Sequence, residues 1–599
     1  MTRLAARSPG APGRASGAAG PDRYKWIALS NTTLGMFMAT INSSIILIAL
    51  PDIFHGIGLD PLAPGNVTYL LWMLMAFLVV TAVLVVSFGR IGDIYGRVRM
   101  YELGFAVFTL GSILLSVVWL SGPAAATYLI AMRVVQGLGA AMLMANSSAI
   151  LTDAFPADQR GLALGINNMA ALAGSFIGLV LGGLLGPLDW RLVFVVSVPV
   201  GLAGTMWAYR RLEERGVRRA ARLDWWGNLT FAVGLVAVLV GITYGIEPYG
   251  GRTMGWTNPL VYGSLLGGAA VLGLFCVIET RAETPMFHLP LFRIRSFTMG
   301  NVASLLSSLG RGGLMFILII WLQGIWLPLH GYSFAETPLW AGIYMVPLTG
   351  GFLLSGAVSG YLSDHFGARP FATLGMLLTA GCFLLLEALP VDFSYVWFAV
   401  LLVVLGASMG LFSSPNRAQV MNSLPAGERG VGSGMAATFQ NSAMVLSIGV
   451  FFSLIVLGLA AQLPAHLYAG LVREGVGPAR AKALAHLPPV GTLFAAFLGD
   501  NPIATLLGPG LHHLSAHHAA VLTSRSYFPT LIAEPFRTGL ARAFDFAAGA
   551  CVVAAAASWL SGERYVHGAE PAAEPDAAEP VAAESAAAVP AAAEPAAAR

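Results

Sequence analysis

Charge is what this chain has least of. Of its 599 residues only 11% are Asp, Glu, Lys or Arg, against 56% hydrophobic, whereas a soluble domain carries about a quarter charged residues. Such scarcity excludes a soluble globular protein, and a formal net charge of +3 gives no basic surface for nucleic acid. Cysteine is scarcer still. Cys276, Cys382 and Cys551 each fall in a separate apolar run, so a disulfide framework is not expected and each thiol should pack as a small hydrophobe. Nor is there a Walker sequence, an HExxH or a GxSxG in a fitting context. ATP-driven pumping and hydrolysis therefore lack residues to perform them, and neither an enzyme nor a bound cofactor or metal is expected.

What the chain has instead is apolar runs of about 20 residues or more, each long enough to cross a hydrocarbon core of roughly 30 Å as a helix; mean hydropathy is +0.73. Without water to satisfy open backbone groups the spans must be helices or a closed barrel, and uninterrupted runs, rather than alternation, point to helices. Fourteen spans can be drawn, at 25–50, 67–88, 100–119, 125–151, 161–187, 190–209, 226–247, 258–279, 298–326, 339–362, 370–389, 394–415, 430–461 and 541–561. Arg97 and Arg99, the RRLEERGVRRAAR cluster, Arg293 and Arg295, and Arg417 and Arg429 all fall in alternate loops, so those loops and both termini are expected on the cytoplasmic side of the cell membrane. The Gly/Pro-rich segment 1–24 and the AAEP-repeat segment 566–599 read as disordered cytoplasmic tails.

GRIGDIYGR after the second span and GYLSDHFGAR after the tenth share the pattern GxxxDxxG. Such a repeat suggests two bundles rocking about a central site. Spans before each copy number two and ten, so two equal six-helix halves require an inserted pair. The expected organisation is a first bundle at 25–209, a basic linker at 210–225, two inserted helices at 226–280, and a second bundle at 281–565 that includes a long outer segment at 462–540.

With INSSIILIALP in the first span, GRIGDIYGRVR after the second, RVVQGLGAA in the fourth, GSFIGLVLGG in the fifth, WRLVFVVSVPVG before the sixth, DWWGN opening the seventh and SSPNRAQVMNSLP after the twelfth, the chain resembles the major facilitator superfamily, in its fourteen-helix drug/proton antiporter branch. The resemblance implies an all-α polytopic membrane fold of two six-helix bundles plus two inserted helices. It also implies alternating-access export of hydrophobic or amphiphilic small molecules with proton antiport, as in multidrug resistance, by a monomer among membrane lipids.

Individual motifs carry a structural and a functional reading. Gly89, Asp93, Gly96 and Arg97, with Gly360, Asp364, Gly367 and Arg369 as a partial second copy, suit a tight turn with a helix cap; the resemblance makes them a cytoplasmic latch between the halves, which is the preferred reading. Arg133 lies about eight residues, roughly 12 Å, inside the fourth span, where a charge costs about 2.5–3.5 kcal/mol on insertion scales and needs partners. It is either tied to backbone carbonyls or, as preferred and as the resemblance implies together with Gln136, Gly137 and Gly139, part of proton coupling. Asn42 is equally deep in the first span, and the resemblance, which makes the first and fourth spans neighbours, implies that it meets Arg133. Relatives usually carry Asp there, and an amide cannot release a proton near neutral pH.

The fifth span keeps Gly174, Gly178, Gly182 and Gly183 for close helix approach but has Leu179 where the family motif has Pro, and Ser197 replaces a usual Asn. Arg311, deep in the ninth span, is read either as paired with a carbonyl or Gln323, or as a substrate contact. The candidate substrate and coupling cavity is thus Asn42, Arg133, Gln136, Asn146, Arg311 and Gln323. No acid lies comparably deep; Asp153, Glu279 and Glu387 fall near span ends. Two deep arginines without a deep acid disfavour an organic cation and favour neutral or anionic amphiphiles.

The apolar outer segment should form helical pieces at the outer membrane surface, and its HHLSAHH stretch (His512, His513, His517, His518) reads as a solvated cluster rather than a metal site. Two alternatives stay open: an exporter or facilitator of lipids or anionic amphiphiles without conventional proton antiport, and a non-transporting receptor or scaffold, which has no need of two latch motifs.

Overall fold

A computed structural model describes residues 21–561 except 61, 64, 157–158, 217–223, 253, 284, 286 and 426–427. Nearly all of both tails, and the middle of the basic linker, lie outside the described residues. Among those described, fourteen helices are long and apolar enough to cross a membrane, which makes this a multi-pass membrane protein.

The spans of the first bundle are α1 (Pro21–Ile57), α2 (Asn66–Tyr95), α3 (Arg97–Ser116), α4 (Gly122–Ala154), α5 (Arg160–Leu185) and the pair α6 (Leu192–Val195) and α7 (Ser197–Arg211), broken by one residue. Then come α8 (Trp225–Gly245) and α9 (Pro259–Arg281). The second bundle holds α10 (Arg295–Trp321), a π turn (Leu322–Trp326), α11 (Leu327–Leu329), α12 (Thr337–Tyr344), α13 (Val346–Phe366), α14 (Ala368–Glu387), α15 (Tyr395–Asn422) and α16 (Arg429–Arg473). Four short helices follow, α17 (Pro478–Leu484), α18 (Pro489–Leu498), α19 (Pro502–Leu507) and α20 (Ala516–Thr523), before the last span α21 (Tyr527–Trp559).

Within the first bundle α1 packs on α5, and α4 on both α2 and α3; within the second, α13 packs on α15, α14 on α15 and α21, and α16 on α10 and α21. The pair α8/α9 sits outside this frame. Its α8 lies on α2 of one bundle and α16 of the other, while most of α9's spanning stretch stays unburied by protein, as a helix facing lipid should. With an even number of spans, both described ends lie on one face, called here the terminal face; the other is the far face.

The structure departs from the sequence-based boundaries in three places. First, α15 does not stop at 415 but runs through Pro415 to Asn422, which takes Arg417 out of a loop and into a transmembrane helix. Second, α16 has 45 residues and α21 has 33, about 68 and 50 Å long against a hydrocarbon core of roughly 30 Å, so both project beyond the far face. Third, the segment between them does not lie on the membrane surface throughout. All ten residues of α18, PVGTLFAAFL, are buried. This helix turns through 85° from α17 and wedges between α1 and α2 on one side and the π turn, α16 and α21 on the other. A stretch that apolar finds less water between bundles than at a headgroup surface.

Candidate functional site

Arg133 is the hub of a sealed polar centre in the first bundle. Its Nη1 donates to Asn42 Oδ1 on α1 at 2.5 Å and to Gln136 Oε1, one turn along α4, at 2.6 Å; its Nε donates to the Met73 carbonyl of α2 at 3.4 Å. The guanidinium lies 4.3 Å from the centre of the Phe77 ring. Gln136 Nε2 passes the network to Ser112 Oγ on α3 at 2.8 Å, and Asn42 Nδ2 reaches Ser197 Oγ on α7 at 3.4 Å. Asn42, Gln136 and Ser112 are 0% exposed and Arg133 1%, so no water substitutes for these bonds. The expected Asn42–Arg133 contact is therefore present, and Ser197 is its third member. No carboxylate touches Arg133 among the described residues; its charge is held by amide and carbonyl oxygens and a ring face, each charge-assisted bond contributing about 1.5–3 kcal/mol.

Two residues expected in the cavity lie elsewhere. Asn146 Nδ2 donates to the Met142 carbonyl on its own helix at 2.9 Å and to Phe88 O at 3.4 Å. Its Oδ1 lies over Gly92, where any Cβ would collide with it; it is a helix-packing residue between α2 and α4. Gln323 does not pair with Arg311. It sits in the π turn and donates across the seam between bundles to the Ile48 carbonyl of α1 at 3.3 Å.

Around the first GxxxDxxGR copy, Arg97 Nε donates to Asp93 Oδ1 at 2.8 Å and its Nη1 to both oxygens of Asp153 at the end of α4, at 2.7 and 2.8 Å. Glu214 accepts from the Arg97 and Val98 backbone N–H groups at 3.0 and 3.1 Å. All these partners belong to the first bundle or the segment following it, so in this conformation the Asp93–Arg97 cluster holds α2, α3 and α4 together rather than bridging the halves. Gly89 opens the motif near Ala145. In the second copy, Arg369 lies 4.1 Å from the Trp559 ring centre instead of pairing with an acid; the Asp364 side chain is outside the described set. Both copies end in the same backbone device: Gly96 has φ 119° and Gly367 φ 85°, values that favour glycine, and their N–H groups close onto Gly92 and Ser363 carbonyls at 2.9 Å. Gly360 lies against Ser414.

The fifth-span glycines mark two contacts. A Cβ on Gly174, Gly178 or Gly182 would press on Phe37, Ile41 or Ile45 of α1 in turn, a four-residue register that lets two backbones meet. Gly183 points the other way, onto Leu339 of α12, and α5 continues unbroken through Leu179. That second contact belongs to a far-face seal. Gly342 rests on the Leu179 backbone and Gly324 of the π turn on Phe497 of α18. The rings of Phe316 and Phe497 meet edge to face, as do those of Phe494 and Phe497, and Phe452 lies against Phe494. His55 of α1 pairs with Asp500, just past α18, at 3.1 Å.

On the terminal-face side, the second bundle contains an open cleft between α10, α13, α15 and α16, enclosing about 750 Å³ when space open to solvent is counted. Arg311 and Arg417 both line it, with Asn416, Gln440 and a set of serines that includes Ser304 and Ser308. Neither guanidinium forms an ion pair or hydrogen bond among the described residues; the Phe352 ring lies 5.8 Å from Arg311. Among the described residues no Asp or Glu lines the cleft.

Titratable groups absent from both centres occur at the junction of α2, α8 and α9. Asp224 caps α8, its Oδ1 accepting from Gly227 N at 2.7 Å, and Glu279 Oε2 accepts from Phe287 N at 2.9 Å. Their remaining oxygens, buried and without a hydrogen bond among the described residues, both face Gly227. Arg90 of α2, bonded to the Pro285 carbonyl, lies close enough to interact electrostatically with Asp224, Glu279 and Asp93, and Ser87 donates to Asn228 beside it. On the far face His518 Nδ1 meets Glu474 at 2.8 Å, and no group of three or more possible metal ligands occurs among the described residues. The cysteines are unpaired, Cys276 exposed and Cys382 and Cys551 buried.

Residues 32–448 match the family model of the Major Facilitator Superfamily, and the chain belongs to that family. It is 29% identical over 438 residues to the riboflavin transporter RibZ of Clostridioides difficile (strain 630), covering 72% of this chain and 88% of that one. It is 28% identical over 540 residues to the tetracenomycin C resistance and export protein of Streptomyces glaucescens, covering 89% and 90%. It is 29% identical over 454 residues to the multidrug resistance protein Stp of Mycobacterium tuberculosis (strain CDC 1551 / Oshkosh), covering 74% and 79%. The fold is similar to that of a bacterial homologue of the human lysosomal transporter Spinster in an inward-facing, unoccupied conformation, with TM-score 0.55 and 15% identity over 92% of this chain and 99% of that one.

Proposed function

We propose that this member of the Major Facilitator Superfamily is a secondary transporter that exports hydrophobic or amphiphilic small molecules by alternating access, with its terminal face in the cytoplasm of the cell and protons as the coupling ion. The observation that carries the reading is the asymmetry of closure. The far face is sealed by α18, Gln323 and the α5/α12 contact, while a cleft with polar and aromatic walls lies on the terminal-face side. Arg99, Arg210, Arg211, Arg293 and Arg295 on the terminal face support its cytoplasmic placement, and the names of the relatives, which include drug export and resistance, support the direction.

Proton coupling needs a group that titrates, and Asn42 and Arg133 offer none near neutral pH. The facing carboxyl oxygens of Asp224 and Glu279, which meet over Gly227 beside Arg90, are the candidate site for the coupling proton. Arg90, carried on α2, would alter that proton's affinity as α2 shifts against α8. The test is substrate-driven proton flux in proteoliposomes. Export with proton counterflow that is lost in Glu279→Gln supports the reading; export with no proton movement in the wild type rejects the coupling. A lipid-exporting role is the second reading, favoured by the projecting α16/α21 pair and its apolar wedge. Lipidomics of a deletion strain, set beside a drug-susceptibility panel, separates the two.

A further inference from the structure

From the second-bundle cleft we infer a binding site for the anionic head group of an amphiphile, held by Arg311 and Arg417. This rests on the reading of that cleft as part of the transport path and names the substrate class it takes.

Three observations converge. Two guanidiniums from different helices, α10 and α15, line one cleft, and neither is neutralised by an acid or tied to a carbonyl among the described residues. An arginine as deep as Arg311 is ordinarily partnered in a membrane protein, as Arg133 is in the first bundle; Arg417 is exposed, five residues from the terminal-face end of α15. Next, the wall between them is rich in uncommitted donors: Ser304, Ser308, Ser413 and Gln440 make no side-chain hydrogen bond to other described residues, so they remain available to oxygen atoms of a ligand. Last, Phe352, Met409, Phe412 and Met421 line the same space and offer an apolar surface for a tail beside the charged end. The planar fork of a guanidinium matches the oxygens of a carboxylate, sulfate or phosphate; Arg311 offers one deep in the cleft and Arg417 adds like charge nearer the terminal face. An organic cation would meet two like charges with no acid among the described lining residues to offset them.

The shared chemistry fits either a free single-chain anion or a phospholipid head group. The experiment uses the full-length protein in phosphatidylcholine nanodiscs and three probes with one dansylated C11 chain, ending in a carboxylate, a trimethylammonium or an alcohol. The expected result is at least tenfold tighter binding of the carboxylate than of the cation. Arg311→Gln and Arg417→Gln should each weaken carboxylate binding about tenfold and together erase the preference, with alcohol binding and thermal stability unchanged. Nanodiscs containing phosphatidylglycerol distinguish the sources: competition with the carboxylate probe assigns the site to a lipid head group, and its absence to a free amphiphile. Equal or tighter binding of the cation, or an undiminished anion preference in the double variant, overturns the inference. Because binding is read apart from transport, anion selectivity without export would refute the transport reading while leaving this site in place, and export of the cation probe would do the reverse.

Discussion

The two bundles each carry arginine within their helices, and they treat it in opposite ways. In the first, Arg133 spends its donors on Asn42, Gln136 and Met73 and is sealed from solvent. In the second, Arg311 and Arg417 face an open cleft with their donors uncommitted. The difference is between a cation satisfied inside the protein and cations left open to a cleft. A buried cation whose hydrogen bonds are satisfied within the protein rigidifies the helices that satisfy it, whereas one left unsatisfied beside a cleft is an invitation to a ligand.

The largest break in this comparison should come from Arg133→Met. It orphans Asn42 Oδ1 and Gln136 Oε1 in a dry interior, at about 1–3 kcal/mol for each buried acceptor, so a clear fall in melting temperature together with lost transport is expected, while Arg311→Gln leaves melting unchanged. Thermal unfolding of both purified variants measures this. Next in size is Glu279→Gln, for which proton counterflow should fall at least tenfold with substrate binding intact, as read by a pH dye inside proteoliposomes. Phe497→Ala then probes the seal. Removing a ring packed on Phe316 and Phe494 weakens closure of the far face, and labelling of a cysteine placed at Ile48 by an impermeant reagent added from that face should rise several-fold. Smallest is Asn42→Asp. It supplies the missing counter-ion to Arg133, so melting temperature should rise by a few degrees at neutral pH, as thermal unfolding of the purified variant measures.

Much of the fold was legible in the sequence because span length and basic-loop bias follow from the bilayer itself. The fourteen runs and the paired GxxxDxxG turns rest on run length and repeat, while the Asn42–Arg133 meeting combined equal depth with the helix neighbours that the family resemblance implied. What was not legible has identifiable causes. The twelfth span was drawn to 415, yet α15 continues through Pro415 to Asn422, and so Arg417 was assigned to a loop. Asn146 and Gln323 looked like cavity residues because a polar side chain in an apolar run has two fates, a ligand or a neighbouring helix, and one-dimensional sequence cannot distinguish them; Gly92 opposite Asn146 decides the matter only once α2 and α4 are in register. The burial of PVGTLFAAFL between bundles depends on contacts with residues more than 150 positions away, such as Phe316 and Gly324. Asp224 and Glu279 each stood near a span end, where acids are usually interfacial, and their meeting required the α8/α9 pairing.

The most direct test of the contrast between the bundles is cysteine accessibility in a background with Cys276, Cys382 and Cys551 replaced by alanine. One cysteine is placed at Ser304 in the cleft or at Ser112 in the sealed centre, and an impermeant thiol reagent is applied from the terminal face. The prediction is that Ser304→Cys reacts readily and is protected by the dansylated carboxylate, whereas Ser112→Cys stays unreactive with or without it. Rapid labelling of Ser112→Cys that the carboxylate blocks, with Ser304→Cys indifferent to it, would contradict the account and place substrate at Arg133 instead.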